Sequence, residues 1–289
     1  MPDREERPTS ILQAIVLGFT QGITEFAPVS SSGHLIIVPW LFGWTILENP
    51  DLNKTFDVAL HVGTLVGALA YFRSDVARYL TAWARTIRRR SITTVDERIA
   101  WALVVGTIPG AIAGAAFEGV IQDRLGQPWL IAVMLVVFGV VLVVVDAVAP
   151  VRRAMTDLSV RDGLVLGVAQ AVALQPGVSR SGVTITAARA MGLDRESSAR
   201  FSFLLALPVI AGAGVFKGID LLRTGLPSGM AGPFAWGMAS AAVGGFVVIW
   251  FLLAYLRRHS FVAFLAYRIA VAVLVFAVIL ADVRPASGL

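Results

Sequence analysis

Long apolar runs alternate along the chain with short clusters of charge, and six of the runs have the length of a membrane-crossing helix: near 55–72, 99–118, 129–149, 201–217, 233–256 and 261–282. Such a helix needs roughly 17–25 predominantly apolar residues. Two further apolar segments break this pattern. Residues 11–45 and 162–195 each begin as a short helix, stop at Pro28 or at Pro176-Gly177, pass a hydroxyl-rich turn and resume as a second short helix. Irregular backbone at membrane depth is tolerated only where protein or a wet cavity surrounds it. Both segments are therefore predicted to be re-entrant helix pairs. The expected fold is an all-α polytopic membrane protein, a single membrane domain over 1–289 with about six transmembrane helices and two re-entrant hairpins.

The two broken segments resemble each other. At a constant shift of 149, Val16, Leu17, Gly18, Gln21, Val29, Ser30, Ser32 and Gly33 fall on Val165, Leu166, Gly167, Gln170, Val178, Ser179, Ser181 and Gly182. A shift of almost half the chain indicates two fused copies rather than a short-period solenoid. The repeats are placed at about 11–149 and 162–282. Loop charge then gives their relation. The connection 73–98 carries Arg73, Arg78, Arg85, Arg88, Arg89, Arg90 and Arg98 and is expected on the cytoplasmic side, together with Arg152-Arg153 and Arg257-Arg258-His259, with the weakly charged 119–128 and 218–232 outside. This order holds if 162–195 returns to the side it entered, and it leaves the first hairpin entering from outside. Each half is then one hairpin plus three spans, which inverts the second copy. Inverted repeats with discontinuous helices place their site at the repeat interface.

Composition agrees with the class and removes some chemistries. The chain is 57% hydrophobic and 15% charged, with mean hydropathy +0.77, whereas a soluble domain has about a quarter of its residues charged. Without cysteine there are no disulfides, thiolate catalysis or sulfur-held metals. A net charge of +5 is compatible with nucleic-acid binding, but the arginines gather beside apolar runs, where membrane orientation accounts for them. The tail Met1 to Ser10 mixes acids and bases and does not read as a cleaved signal peptide.

Candidate chemistry sits in the polar repeats. Gln21 and Glu25, four apart, share a helix face and can address one ligand, water or metal ion. Ser30-Ser31-Ser32-Gly33 and Ser179-Arg180-Ser181-Gly182 each follow a helix break and can open the next helix. Backbone N–H groups, hydroxyls and the helix dipole there favour an anion. Arg180 adds a guanidinium fork suited to phosphate. The plainer readings are that these Ser and Gly residues cap helices and allow close packing, that Glu25 pairs with Arg180 structurally, and that Gln21 and Gln170 bond across the repeat interface. His34 alone suits an interior hydrogen bond, although its place after the serine turn raises its standing. His61 is expected to bond between helices or to approach the site. Asp146 and Lys217, near span ends, are read as snorkelling without a role.

Gln21-Gly-Ile-Thr-Glu25 followed by Pro28-Val-Ser-Ser-Ser-Gly-His34 resembles the first signature of the undecaprenyl-diphosphatase, or bacitracin-resistance, family; Pro176-Gly-Val-Ser-Arg-Ser-Gly-Val-Thr184 is similar to its second. The resemblance implies a bacterial inner-membrane enzyme whose site opens to the extracytoplasmic side. It would remove the terminal phosphate of a C55 isoprenyl diphosphate, recycle the carrier lipid for cell-wall synthesis and confer bacitracin tolerance. It implies a divalent cation, Mg²⁺ or Ca²⁺, with Glu25 and Gln21 serving acid/base or metal binding. Arg180 would be the diphosphate clamp, Ser30, Ser179, Ser181 and Thr184 substrate contacts, and Ser31 or His34 the nucleophile or proton shuttle. Two positions depart from the pattern: Gln21 stands where many members have Glu, and His61 where Gln is common. Expected partners are the lipid substrate and membrane lipids, with no nucleic acid; oligomeric state is open, a homodimer included. The rival from another class is a transporter or flippase for a phosphate-bearing lipid or anion, since fold alone does not fix function. A purely structural scaffold leaves Glu25 and Arg180 unexplained.

Overall fold

A computed structural model describes residues 9–44 and 50–287, with side chains left aside at 50–51 and 117–124. The described residues form eleven α-helices: α1 (Ile11–Phe26), α2 (Ser31–Phe42), α3 (Pro50–Tyr71), α4 (Arg73–Arg89), α5 (Val95–Arg124), α6 (Pro128–Val148), α7 (Val160–Ala171), α8 (Arg180–Ala190), α9 (Arg195–Thr224), α10 (Ala231–Leu256) and α11 (Val262–Leu280). Five are long and apolar enough to cross a membrane, or six when α3 and α4 count as one bent unit. The protein is thus a multi-pass membrane protein, its outward-facing surface carrying residues such as Val144, Leu222, Trp250 and Phe251. The segment 73–98, expected as a charged connection, is mostly helical instead. There α4 turns 86° from α3. Its apolar residues Tyr79 and Ala82 are buried while Arg85, Arg88 and Arg89 are exposed, so an amphipathic pattern makes a helix that a charge count alone reads as loop.

Both predicted hairpins are present. Ser10 opens α1 with a capping box shared with Gln13, and α1 ends two residues before Pro28. At the other end, Trp40 donates its indole N–H to the Pro285 carbonyl, and Trp44 joins Leu52, Leu226 and Met230 in one apolar cluster. The cap of α1 lies near the same end, with Ile11 against Gly232. The α1–α2 pair therefore leaves and returns on one face. The α7–α8 pair does so on the opposite face: Ser159 caps α7, Arg153 binds Asp162 at 2.5 Å, and residues 152–153 bond the Gly192 carbonyl beyond α8.

That second face gathers the charged loops. Arg98 donates to the Thr156 and Leu158 carbonyls, Arg200 pairs with Asp75 at 2.7 Å, and Arg257 with Glu196 at 2.8 Å. Asp146 is not a snorkelling charge. It is buried and receives Arg189 at 2.7 Å and Arg195 at 2.9 Å, because a carboxylate this deep is tolerable only when paired. Lys217 lies 4.0 Å from Asp220.

Each hairpin's first helix packs on a long helix of the other half. α1 lies along α10, and α7 along α5. Small residues permit the contact: a Cβ at Gly22 would stand 2.5 Å from the Ala241 carbonyl oxygen, and one at Gly167 2.2 Å from that of Gly106. Where the lipid is as apolar as any leucine, such close backbone packing is what holds helices together.

Candidate active site

The two hairpin tips meet inside the bundle, and their backbone geometry is matched. Ser30 and Ser179 both take positive φ, 74° and 77°, a conformation that costs a non-glycine residue about 1–3 kcal/mol and persists only when surroundings impose it. In each, the serine hydroxyl caps the helix that follows by accepting the N–H of Gly33 or Gly182. The strained serine turns the chain so that Ser31 and Arg180 become the first residues of α2 and α8. First-turn amides have no intrahelical partner, and their dipoles add positive potential at the point of meeting.

Cross-contacts lock the tips. Ser30 Oγ also accepts the N–H of Gly177 at 3.0 Å, and Ser181 Oγ donates to the Ala27 carbonyl at 3.1 Å. Arg268, fully buried on α11, donates to the Pro28 carbonyl at 2.6 Å, to Val178 at 3.3 Å and to Leu135 at 3.1 Å. One guanidinium thus holds both breaks. Arg268 was not singled out in the sequence, although a lone arginine inside the run 261–282 is a signal, since intramembrane charges are costly and rarely idle.

A cavity of about 270 Å³ opens at the junction. Its polar wall is Glu25, Ser30, Ser31, Ser32, His61, Ser179 and Arg180; Val58, Ala173, Val209, Ile210 and Ala213 supply the apolar part. Glu25 is the centre. Arg180 donates to its Oε1, Ser31 Oγ to Oε2 at 2.6 Å, Gln21 Nε2 to Oε2 at 2.8 Å, and His61 Nε2 stands 3.5 Å from Oε2. A hydroxyl donating to a carboxylate is the arrangement by which a base activates a serine. Arg180 is further steadied by the Ala206 carbonyl at 3.3 Å.

Not every predicted residue reaches the cavity. His34 is buried behind the tip, its Nδ1 2.7 Å from the Ser30 carbonyl and its Nε2 2.8 Å from the Tyr267 hydroxyl. Thr184 is also interior, bonded to Ser202 at 2.5 Å and to the Arg180 carbonyl at 2.7 Å; it and Ser181 support the α8 tip without lining the cavity. Gln170 does not meet Gln21. It donates to the Gly106 carbonyl at 3.0 Å, because the exchanged packing of α7 on α5 carries it away from α1. His61 takes the second of its two expected places, at the site, and nothing in its local sequence marks that.

Comparison with known proteins bears on this constellation. The family described as bacitracin resistance protein BacA matches residues 14–274. The chain belongs to that family. Among relatives, an undecaprenyl-diphosphatase of Geobacter sulfurreducens is 46% identical over 90% of this chain and 94% of its own length. One of Pelobacter propionicus is 41% identical over 95% and 99%, and one of Thermomicrobium roseum 44% identical over 93% and 98%. The matched residues include all those that line the cavity described above.

A divalent cation is implied by the BacA resemblance, and the donor set can be tested for it. Among the described residues no group of three or more His, Asp or Glu side chains is gathered into a cage. Yet Glu25 lies with His61 and with Gln21, whose buried Oε1 has no hydrogen-bond partner. Magnesium sites often use one or two carboxylates and complete the shell with substrate phosphate. The residues fit an ion shared with a diphosphate.

Proposed function

We infer that this chain is an integral membrane phosphatase that hydrolyses undecaprenyl diphosphate to undecaprenyl phosphate and inorganic phosphate, recycling the carrier lipid for cell-wall synthesis and giving bacitracin tolerance. The observation that carries the reading is the contact of Glu25 with Ser31 and Arg180 where the two hairpin tips meet. The diphosphate binds with its terminal phosphate against Arg180 and the first-turn amides of α2 and α8, while the prenyl chain, far too large for the cavity, stays among lipid tails. Phosphoryl transfer is mostly positioning and charge stabilisation, and these groups supply both. A divalent cation held by Glu25 with Gln21 or His61 would supply further neutralisation of phosphate charge.

Ser31 is the nucleophile in this reading. Its Oγ attacks the terminal phosphorus as its proton passes to Glu25, the bond to the prenyl phosphate breaks, and water then releases phosphate from the serine. His34 supports the Ser30 carbonyl and Tyr267, and so positions the turn. The cavity is lined by Val58 of α3 and Ala213 of α9, each on the half of its helix away from the clustered arginines, which supports a mouth opening outward from a bacterial inner membrane. The matched tips and exchanged helices support an inverted repeat. All the groups named come from one chain, so the chemistry does not require a homodimer.

The test is phosphate release from an isoprenyl diphosphate by the purified protein with Mg²⁺ or Ca²⁺, beside Glu25→Ala and Arg180→Ala. Release by the parent with near-total loss in both variants is the expected result. No release from folded parent, with phosphate-bearing lipid crossing vesicle bilayers, would replace hydrolysis by transport.

A further inference from the structure

We propose that His61 is a nitrogen ligand for the divalent cation of this site, completing with Glu25 and Gln21 a three-donor set that favours first-row transition ions such as Mn²⁺ and Zn²⁺ over Ca²⁺. The proposal rests on the reading of this cavity as the diphosphate site. The imidazole tautomer is decided by its neighbours: Nδ1 lies 2.7 Å from the Asp57 carbonyl oxygen, which only accepts, so Nδ1 carries the proton and the neutral ring presents an Nε2 lone pair. That lone pair stands 3.5 Å from Glu25 Oε2. In the neutral ring these are two acceptors, and a proton or a metal cation must lie between them. Donors bound to one ion at roughly 2.0–2.2 Å, at octahedral to tetrahedral angles, are separated by about 3.0–3.5 Å, so the observed spacing fits a shared cation.

Gln21 supplies the third donor. It is buried with its Oε1 unpartnered, and its Nε2 occupies one lone pair of Glu25 Oε2 at 2.8 Å. A half-turn of the carboxamide exchanges the two atoms, frees that lone pair and brings Oε1 to the same point. Arg180 is engaged on the other oxygen, Oε1 of Glu25, so clamp and ion use opposite sides of one carboxylate. Of the three donors the imidazole is the one that discriminates. Carboxylate and amide oxygens suit magnesium, calcium and manganese, whereas imidazole suits zinc and its neighbours.

The experiment is pulsed electron paramagnetic resonance of Mn²⁺ bound to the full chain in detergent, without substrate. Parent protein and His34→Gln are expected to show ¹⁴N modulation from a directly bound imidazole. His61→Gln is expected to lose it and to bind Mn²⁺ at least as weakly as removal of an outer-shell partner makes a site, roughly 10–100-fold. In competition, Zn²⁺ should displace Mn²⁺ from the parent far better than Ca²⁺ does, and His61→Gln should narrow that gap. Bound Mn²⁺ without ¹⁴N coupling in the parent, equal affinity in His61→Gln, or no Mn²⁺ binding would each overturn the proposal. The parent spectrum decides even where a variant fails to fold. Phosphate release by the parent tests the phosphatase reading separately, since the nitrogen signal is read without turnover.

Discussion

Replacing Arg268 by methionine should disable the site from a position that touches neither Glu25 nor Ser31. The side chain is fully buried and makes three bonds to backbone carbonyls of Pro28, Leu135 and Val178. Hydrogen bonds between helices in membranes average about 0.6 kcal/mol and reach about 1.7, so losing three costs about 2–5 kcal/mol. Methionine keeps length and apolar packing but leaves those carbonyls without the guanidinium. Two of them belong to the hairpin breaks, and the cost therefore falls on the relative placement of Ser31 and Arg180. A misplacement of about 1 Å can lower a rate by ~10²-fold. The assay pairs thermal unfolding in detergent with phosphate release at saturating and limiting substrate. Arg268→Met is expected to lower both Tm and kcat, the latter by about 10²-fold, with KM changing much less. Arg268→Lys, able to reach one carbonyl, should recover part of each. Parent-like kcat in a stably folded Arg268→Met would refute the view that this arginine aligns the tips.

Three further outcomes follow from the same geometry. Ser31→Ala should abolish turnover and phosphoenzyme, whereas His34→Ala, removing a support behind the turn, should slow turnover by roughly 10-fold to 10²-fold, within the range of positioning effects; full activity in Ser31→Ala removes the serine route. Asp146→Asn leaves Arg189 buried beside Arg195 without a carboxylate and should destabilise by about 3–5 kcal/mol, read as a lower Tm with the site chemistry intact in surviving folded protein. Gly22→Val forces a side chain onto the Ala241 carbonyl oxygen, 2.5 Å from where its Cβ must stand, so α1 has to part from α10; a parent-like Tm and rate would show that the seam yields easily.

Much of this was legible in the sequence because it rests on backbone rules. Apolar run length gives the spans, Pro28 and Pro176-Gly177 give the breaks, and the shared Ser-x-Ser-Gly pattern gives the matched caps. Glu25 and Arg180 stood out because a charge in an apolar segment must have a reason. What was not legible is which residues distant in sequence share a wall. His61 reaches Glu25 through the packing of α3 beside α1, and Tyr267 reaches His34 across 233 positions; neither has a local signature. The exchange of α1 and α7 between halves also sent Gln170 to Gly106 rather than to Gln21. The α4 helix was hidden for another reason: its arginines dominate a charge count, while its buried face is sparse.

The matched tips also show how a repeated sequence motif yields an unsymmetrical site. At a shift of 149, Ser31 and Arg180 are the same position, the first residue after a serine with positive φ. Duplication alone would place two like side chains there, two hydroxyls or two guanidiniums, facing one cavity. Two guanidiniums would hold phosphate without attacking it, and two hydroxyls would lack the charge to hold it. The chain instead divides the pair and sets a single carboxylate, Glu25, against both, while Leu174 stands at the matching place in the other copy. One oxygen of Glu25 then meets the guanidinium and the other the hydroxyl. A symmetric arrival of two strained turns thereby supplies proximity, and two differences between the copies, Ser31 against Arg180 and Glu25 against Leu174, make the site unsymmetrical.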